Sequence, residues 1–179
     1  AVNILNGDNT AGITNIFANG GGTFTNTATA KLTTVAKSGI AILSKNNTNV
    51  VNSGEITVKE AASSMAPNIG IYTDGSTATI TNDAKVTVGN NSIGLFGNKV
   101  DLNSNTDLNL GTNTIGVYSK NGDVKLSTGG KLTVGRDQSV GIYTIGGHQN
   151  ITAEAGSTIS VGDNSFAFVN IGTGNTITT

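Results

Sequence analysis

Ile69-Gly70-Ile71-Tyr72 returns as Ile93-Gly94-Leu95-Phe96, as Ile115-Gly116-Val117-Tyr118 and as Val140-Gly141-Ile142-Tyr143. Ser38-Gly39-Ile40 reads as an earlier copy, Ala11-Gly12-Ile13 as the first, and Phe166-Ala167-Phe168 as a degenerate last one. The central Gly or Ala positions are then 27, 31, 24, 22, 25 and 26 residues apart. A period of this size marks a repeat architecture, in which one short unit cannot bury its own apolar face and stacks on the next.

Outward from the Gly column, each interval holds two more short β-prone stretches. One set is Thr23-Phe24-Thr25, Asn49-Val50-Val51, Thr79-Ile80-Thr81, Val100-Asp101-Leu102, Val124-Lys125-Leu126, Asn150-Ile151-Thr152 and Thr176-Ile177-Thr178. The other is Leu32-Thr33-Thr34, Ile56-Thr57-Val58, Val86-Thr87-Val88, Leu108-Asn109-Leu110, Leu132-Thr133-Val134 and Ile159-Ser160-Val161, with Val2-Asn3-Ile4 read as the same strand of an earlier coil. Three strands in about 25 residues leave no room for regular two-residue hairpins, whereas a solenoid pairs each strand with its equivalent one coil along. The fold expected is all-β: a right-handed parallel β-helix with three short strands per coil and six to seven coils of 22–31 residues.

Aligned coils give columns. Leu32, Ile56, Val86, Leu108, Leu132 and Ile159 share one position and should face inward, while Thr33, Thr57, Thr87, Asn109, Thr133 and Ser160, one residue on, should face outward. Gly89, Gly111, Gly135 and Gly162 follow the strand where the coil must turn. Before the strand come Lys31, Glu55, Lys85, Asp107, Lys131 and Thr158, a column whose charge alternates in sign. Like charges stacked about 5 Å apart would repel, so the alternation supports the register. The whole of 1–179 is expected to be one β-helix segment cut from a longer one, because it starts and stops inside repeat units. Residues 59–68 read as a loop inserted between the third strand and the next Gly column.

Composition narrows function. Charged residues are 12% of 179 and the net charge is −1, so there is no basic stripe for nucleic acid. No apolar run reaches membrane length, and membrane insertion of this segment is not expected. The chain has no Cys and a single His, His148, in a Gly-Gly-His turn, so no metal site and no cofactor are expected.

The Ile-Gly-Ile-Tyr blocks, together with Ile80-Thr81-Asn82-Asp83-Ala84-Lys85-Val86-Thr87-Val88-Gly89 and Val51-Asn52-Ser53-Gly54-Glu55-Ile56-Thr57-Val58, resemble passenger repeats of type V autotransporters, most of all the large fusobacterial outer-membrane adhesins. The resemblance implies a secreted passenger held at the bacterial surface by an outer-membrane barrel. It further implies adhesion and virulence by attachment to a host-cell or bacterial surface protein or glycan; the rod itself is expected to be monomeric.

Polysaccharide lyases and hydrolases also use β-helices, but need convergent carboxylates. Here the acidic residues are scattered through turns, where Asp is a routine turn former. Asp137 and Asp163, in equivalent turns, are the one pair worth weighing. The expectation is no enzyme. The alternatives are a β-helix polysaccharide-degrading enzyme and a structural spacer that binds nothing. If the two Ile of Ile-Gly-Ile-Tyr face inward, Tyr72, Phe96, Tyr118 and Tyr143 form an outward ladder beside a bare Gly column. Those four are the candidate ligand-binding residues, as a shallow sugar- or protein-binding groove.

Overall fold

The computed structural model describes residues 3–4, 12–35 and 37–179. Val2 and Ala11, which belong to the repeat as read from sequence, lie outside them. Among the described residues every regular element is a strand, and the strands form three seven-stranded sheets with every pairing parallel. Sheet one holds Thr14–Ala18, Ile40–Ser44, Ile69–Thr73, Ile93–Gly97, Ile115–Lys120, Val140–Ile145 and Phe166–Ile171. Sheet two runs from Thr23–Asn26 to Thr176–Thr178, and sheet three from Asn3–Ile4 to Thr158–Val161. Each coil contributes one strand to each sheet, so the chain is a parallel β-helix.

Sheet three follows the sequence columns. Leu32, Ile56, Val86, Leu108 and Leu132 are buried, and each buried Leu or Ile contributes about 1.5–3 kcal/mol. Lys31 pairs with Glu55, Lys85 with Asp107, and Asp107 with Lys131, while Asn3–Ile4 pair with Lys31 and Leu32 as an earlier coil should. Lys31 Nζ stands 2.9 Å from Glu55 Oε2, which holds the Glu55 carboxyl below its ordinary pKa.

Sheet one corrects the sequence reading twice. Ser38-Gly39-Ile40 is not the equivalent of Ile69-Gly70-Ile71. The register pairs Ile40 with Ile69, Ile42 with Ile71 and Leu43 with Tyr72, and one coil earlier Thr14 with Ile40 and Phe17 with Leu43. The copies are therefore Ile40-Ala41-Ile42-Leu43 and Thr14-Asn15-Ile16-Phe17, and the first two coils have 26 and 29 residues. The longest coil is shortened from 31 to 29.

The second correction concerns facing. The two residues in the middle of each Ile-Gly-Ile-Tyr block, Gly70 and Ile71 for example, are both buried, while Ile69 and Tyr72 are both half-exposed. Strict alternation breaks once per coil, at the Gly. That residue is small for want of space: a Cβ on Gly94 would stand 2.6 Å from Gly116 O and 3.1 Å from Val88 Cγ2. The Gly column thus lies inside, and no bare Gly wall faces solvent.

Sheet two carries a buried asparagine ladder. Asn26 Nδ2 donates to Asn52 Oδ1 and Asn52 Nδ2 to Asn82 Oδ1, both at 2.7 Å, and Asn82 Nδ2 donates to Ala84 O. Buried amides persist only when satisfied, and here each satisfies the next. Leu102 and Leu126 then take the same position in the core. The turns after sheet three hold Asn91, Asn113, Asp137 and Asn164 at φ of 58°, 54°, 51° and 55°, a left-handed conformation that Asn and Asp tolerate better than most residues.

The insertion 59–68 is anchored at both ends. Ala61 is buried, donates its N–H to Asn90 O and accepts from Asn91 Nδ2. Asn68 is buried too; its Oδ1 accepts from Gly39 N, and its Nδ2 donates back to Lys59 O and Glu60 O. Between these anchors the tip turns through Ser63–Ala66, leaving Met65 94% exposed.

Candidate binding face

Tyr72, Phe96, Tyr118 and Tyr143 do stand on the outside, in one column. Their ring centroids are 4.8, 4.6 and 5.1 Å apart and their planes are inclined by 16°, 3° and 24°. These spacings match the distance between hydrogen-bonded strands, so the backbone itself sets the stack. The column is longer than the four residues picked from sequence: Phe17 and Leu43 precede them and Val169 follows.

The break in alternation adds a second outward column that sequence reasoning placed in the core. Ile40, Ile69, Ile93, Ile115 and Val140 are all half-exposed and register directly on one another. An apolar stripe two columns wide therefore runs along sheet one from the Ile40 strand to the Phe166 strand, with Thr14 interrupting one column in the first strand, while the outward positions of sheet three are Thr, Asn, Ser and alternating charges. Beside it the insertion loop encloses a groove of about 210 Å³, in which Ser64 and Pro67 face Ile93, Ile115, Val140 and Tyr143.

The stack also limits the chemistry. A sugar bound by stacking needs a free ring face. Here each inner ring has both faces against its neighbours, and Tyr72 and Tyr143 abut the Leu43 and Val169 positions. The stripe presents ring edges, phenol hydroxyls and aliphatic side chains. Burial raises the pKa of the Tyr118 hydroxyl, with a further contribution from the Tyr143 phenol.

The other candidates fall into turns. Asp137 takes the left-handed position held by Asn in neighbouring coils, and its N–H donates to Asp163 O at 3.0 Å. Asp163 itself sits one position earlier in its turn, so the two are not column partners. His148 is exposed at φ 58°, with its N–H on Thr173 O. Among the described residues no three His, Cys, Asp or Glu side chains gather as a metal site. No family model, curated protein or solved structure matches the chain.

Proposed function

We propose that this chain is a length of rod in a cell-surface adhesin of the autotransporter type, and that its apolar stripe contacts a protein on a host or bacterial surface. The resemblance of the Ile-Gly-Ile-Tyr repeats to autotransporter passengers supports the setting. The observation that carries the contact reading is the outward column Phe17, Leu43, Tyr72, Phe96, Tyr118, Tyr143 and Val169, apolar on seven consecutive coils. Single exposed apolar residues are ordinary, but a contiguous stripe is what interaction surfaces look like. Its edge-on rings favour a protein partner over a stacked glycan, and the rod's coil-to-coil pairing leaves no long free strand edge along its sides.

The competing reading is a spacer, in which the stack serves only the fold. Ile69→Ser, Ile93→Ser and Ile115→Ser combined separate the two. These side chains face outward and do not join the core cluster. On the proposed reading the triple variant keeps its fold but loses attachment to receptor-bearing cells by tenfold or more. Attachment equal to that of the unaltered chain would leave the spacer reading.

A further inference from the structure

The connection from sheet one to sheet two changes length from coil to coil. Six residues separate Thr73 from Ile80, four separate Ser119 from Val124, and six separate Thr144 from Ile151. Between Gly97 and Val100 there are two, Asn98 and Lys99. The short turn sinks below its neighbours and leaves a notch. Two lobes, of about 310 and 360 Å³, open on either side of Asn98 and meet at Ser76, Asn98 and Asn121.

We propose that this notch binds a neutral saccharide, at a site that adjoins the apolar stripe at Tyr72 and Phe96. Its walls carry Asp74 and Ser76 on one side and Lys120, Asn121 and Asp123 on the other. Carboxylates accept from sugar hydroxyls, and amides and ammonium groups donate to them, so adjacent groups of both kinds suit a ring with vicinal hydroxyls. Charge does not favour an ion of either sign. Asp74 has Lys45 at 4.0 Å, and Lys99 on the floor has Asp101 at 3.7 Å. The edges of Tyr72 and Phe96 close one lobe with an apolar wall suited to ring C–H groups. Each lobe equals about ten water volumes, the scale of one or two pyranose rings.

Unused hydrogen-bonding capacity sits in the same place. Among the described residues, two buried side-chain polar atoms have no partner, Thr73 Oγ1 and Gln149 Oε1, on residues only 4% and 1% exposed. Thr73 lines one lobe and Gln149 the other. Thr73 belongs to an inward column whose other hydroxyls are bonded: Ser44 to Thr48 O, Ser119 to Gly122 O and Thr144 to Asn170 Oδ1. Its successor in the column is Gly97, and a Cβ there would run into Thr73 Oγ1. Thr73 Oγ1 thus occupies the inward space that a side chain at position 97 would need, directly beneath the lobe.

The test is an amide-resolved NMR titration of the whole chain with galactose, N-acetylglucosamine and mannose at millimolar concentration, and with inorganic phosphate as the anionic control. The expected result is that at least one sugar shifts the amides of Asn98, Asn121 and Gly122 and the Gln149 side-chain NH2, while phosphate does not. Asp74→Asn combined with Asp123→Asn, both exposed, should weaken that sugar at least tenfold without changing the melting temperature. No response to any of the three sugars, an equal response to phosphate, or unchanged affinity in the carboxylate variant overturns the proposal. Neither carboxylate change replaces a residue of the stripe, so cell attachment through it is read out separately.

Discussion

Tyr118 lies flat against Phe96, with ring centroids 4.6 Å apart and planes 3° from parallel. That is the separation of neighbouring coils, so neither ring bends the backbone to reach the other. Tyr118 also stacks on Tyr143 and is the better supported of the two central rings for mutation, because Tyr118→Phe preserves the stack while removing the hydroxyl.

Tyr118→Ala removes two stacked pairs, each worth about 0.5–1.5 kcal/mol beyond area burial. The variant should stay folded and lose about 1–3 kcal/mol in denaturant unfolding. Tyr118→Phe should lose little. Equal losses in both would mean that the hydroxyl, and not the stack, matters.

Alkaline pH should loosen the ladder. The folded-state pKa of Tyr118 is raised above the ordinary 10.0, so its contribution is fully present below that value and is lost as pH rises through the folded one. Thermal melts of the unaltered chain should therefore decline more steeply above about pH 10 than those of Tyr118→Phe. Parallel profiles would remove Tyr118 as the titrating group.

Gly116→Ala tests the break in alternation. A Cβ there would lie 2.5 Å from Gly141 O and 3.0 Å from Leu110 Cδ1, so overpacking should cost about 1–3 kcal/mol. Were the Gly column outward, as alternation suggested, the change would be neutral or slightly stabilising, and the melting temperature distinguishes these.

Asn52→Leu imitates the residue found at the same position two coils later, yet should destabilise by about 1–3 kcal/mol. It leaves the Asn26 amide without its acceptor and Asn82 Oδ1 without its donor. Replacing Asn26, Asn52 and Asn82 together by Leu should cost less than the single change. A larger loss in the triple variant would argue against the ladder.

Sheet three was legible because Lys85-Val86-Thr87-Val88-Gly89 states inside, outside and turn by residue type alone. Sheet one was not. In Ile69-Gly70-Ile71 both flanking residues are Ile, so nothing in their chemistry says which one leaves the core, and a period of two puts both inside. The shift at Ser38-Gly39-Ile40 had a usable signal: Leu43-Ser44 matches Tyr72-Thr73 better than any alignment on Gly39 does. The buried Asn26, Asn52 and Asn82 were hidden because Asn reads as a turn former. The notch is a missing stretch of chain rather than a motif, and its one trace was the 22-residue spacing between Gly94 and Gly116.

Contact between the outer stripe and a partner must show as lost attachment when stability is held level. The most direct measurement compares attachment of bead-coupled Tyr118→Ala and Asn52→Leu proteins to receptor-bearing cells, since both lose stability of about the same size and only the first alters the stripe. A contacting stripe means at least a tenfold loss of attachment for Tyr118→Ala and none for Asn52→Leu. Equal attachment by the two variants would contradict it and leave the ladder as a purely structural device.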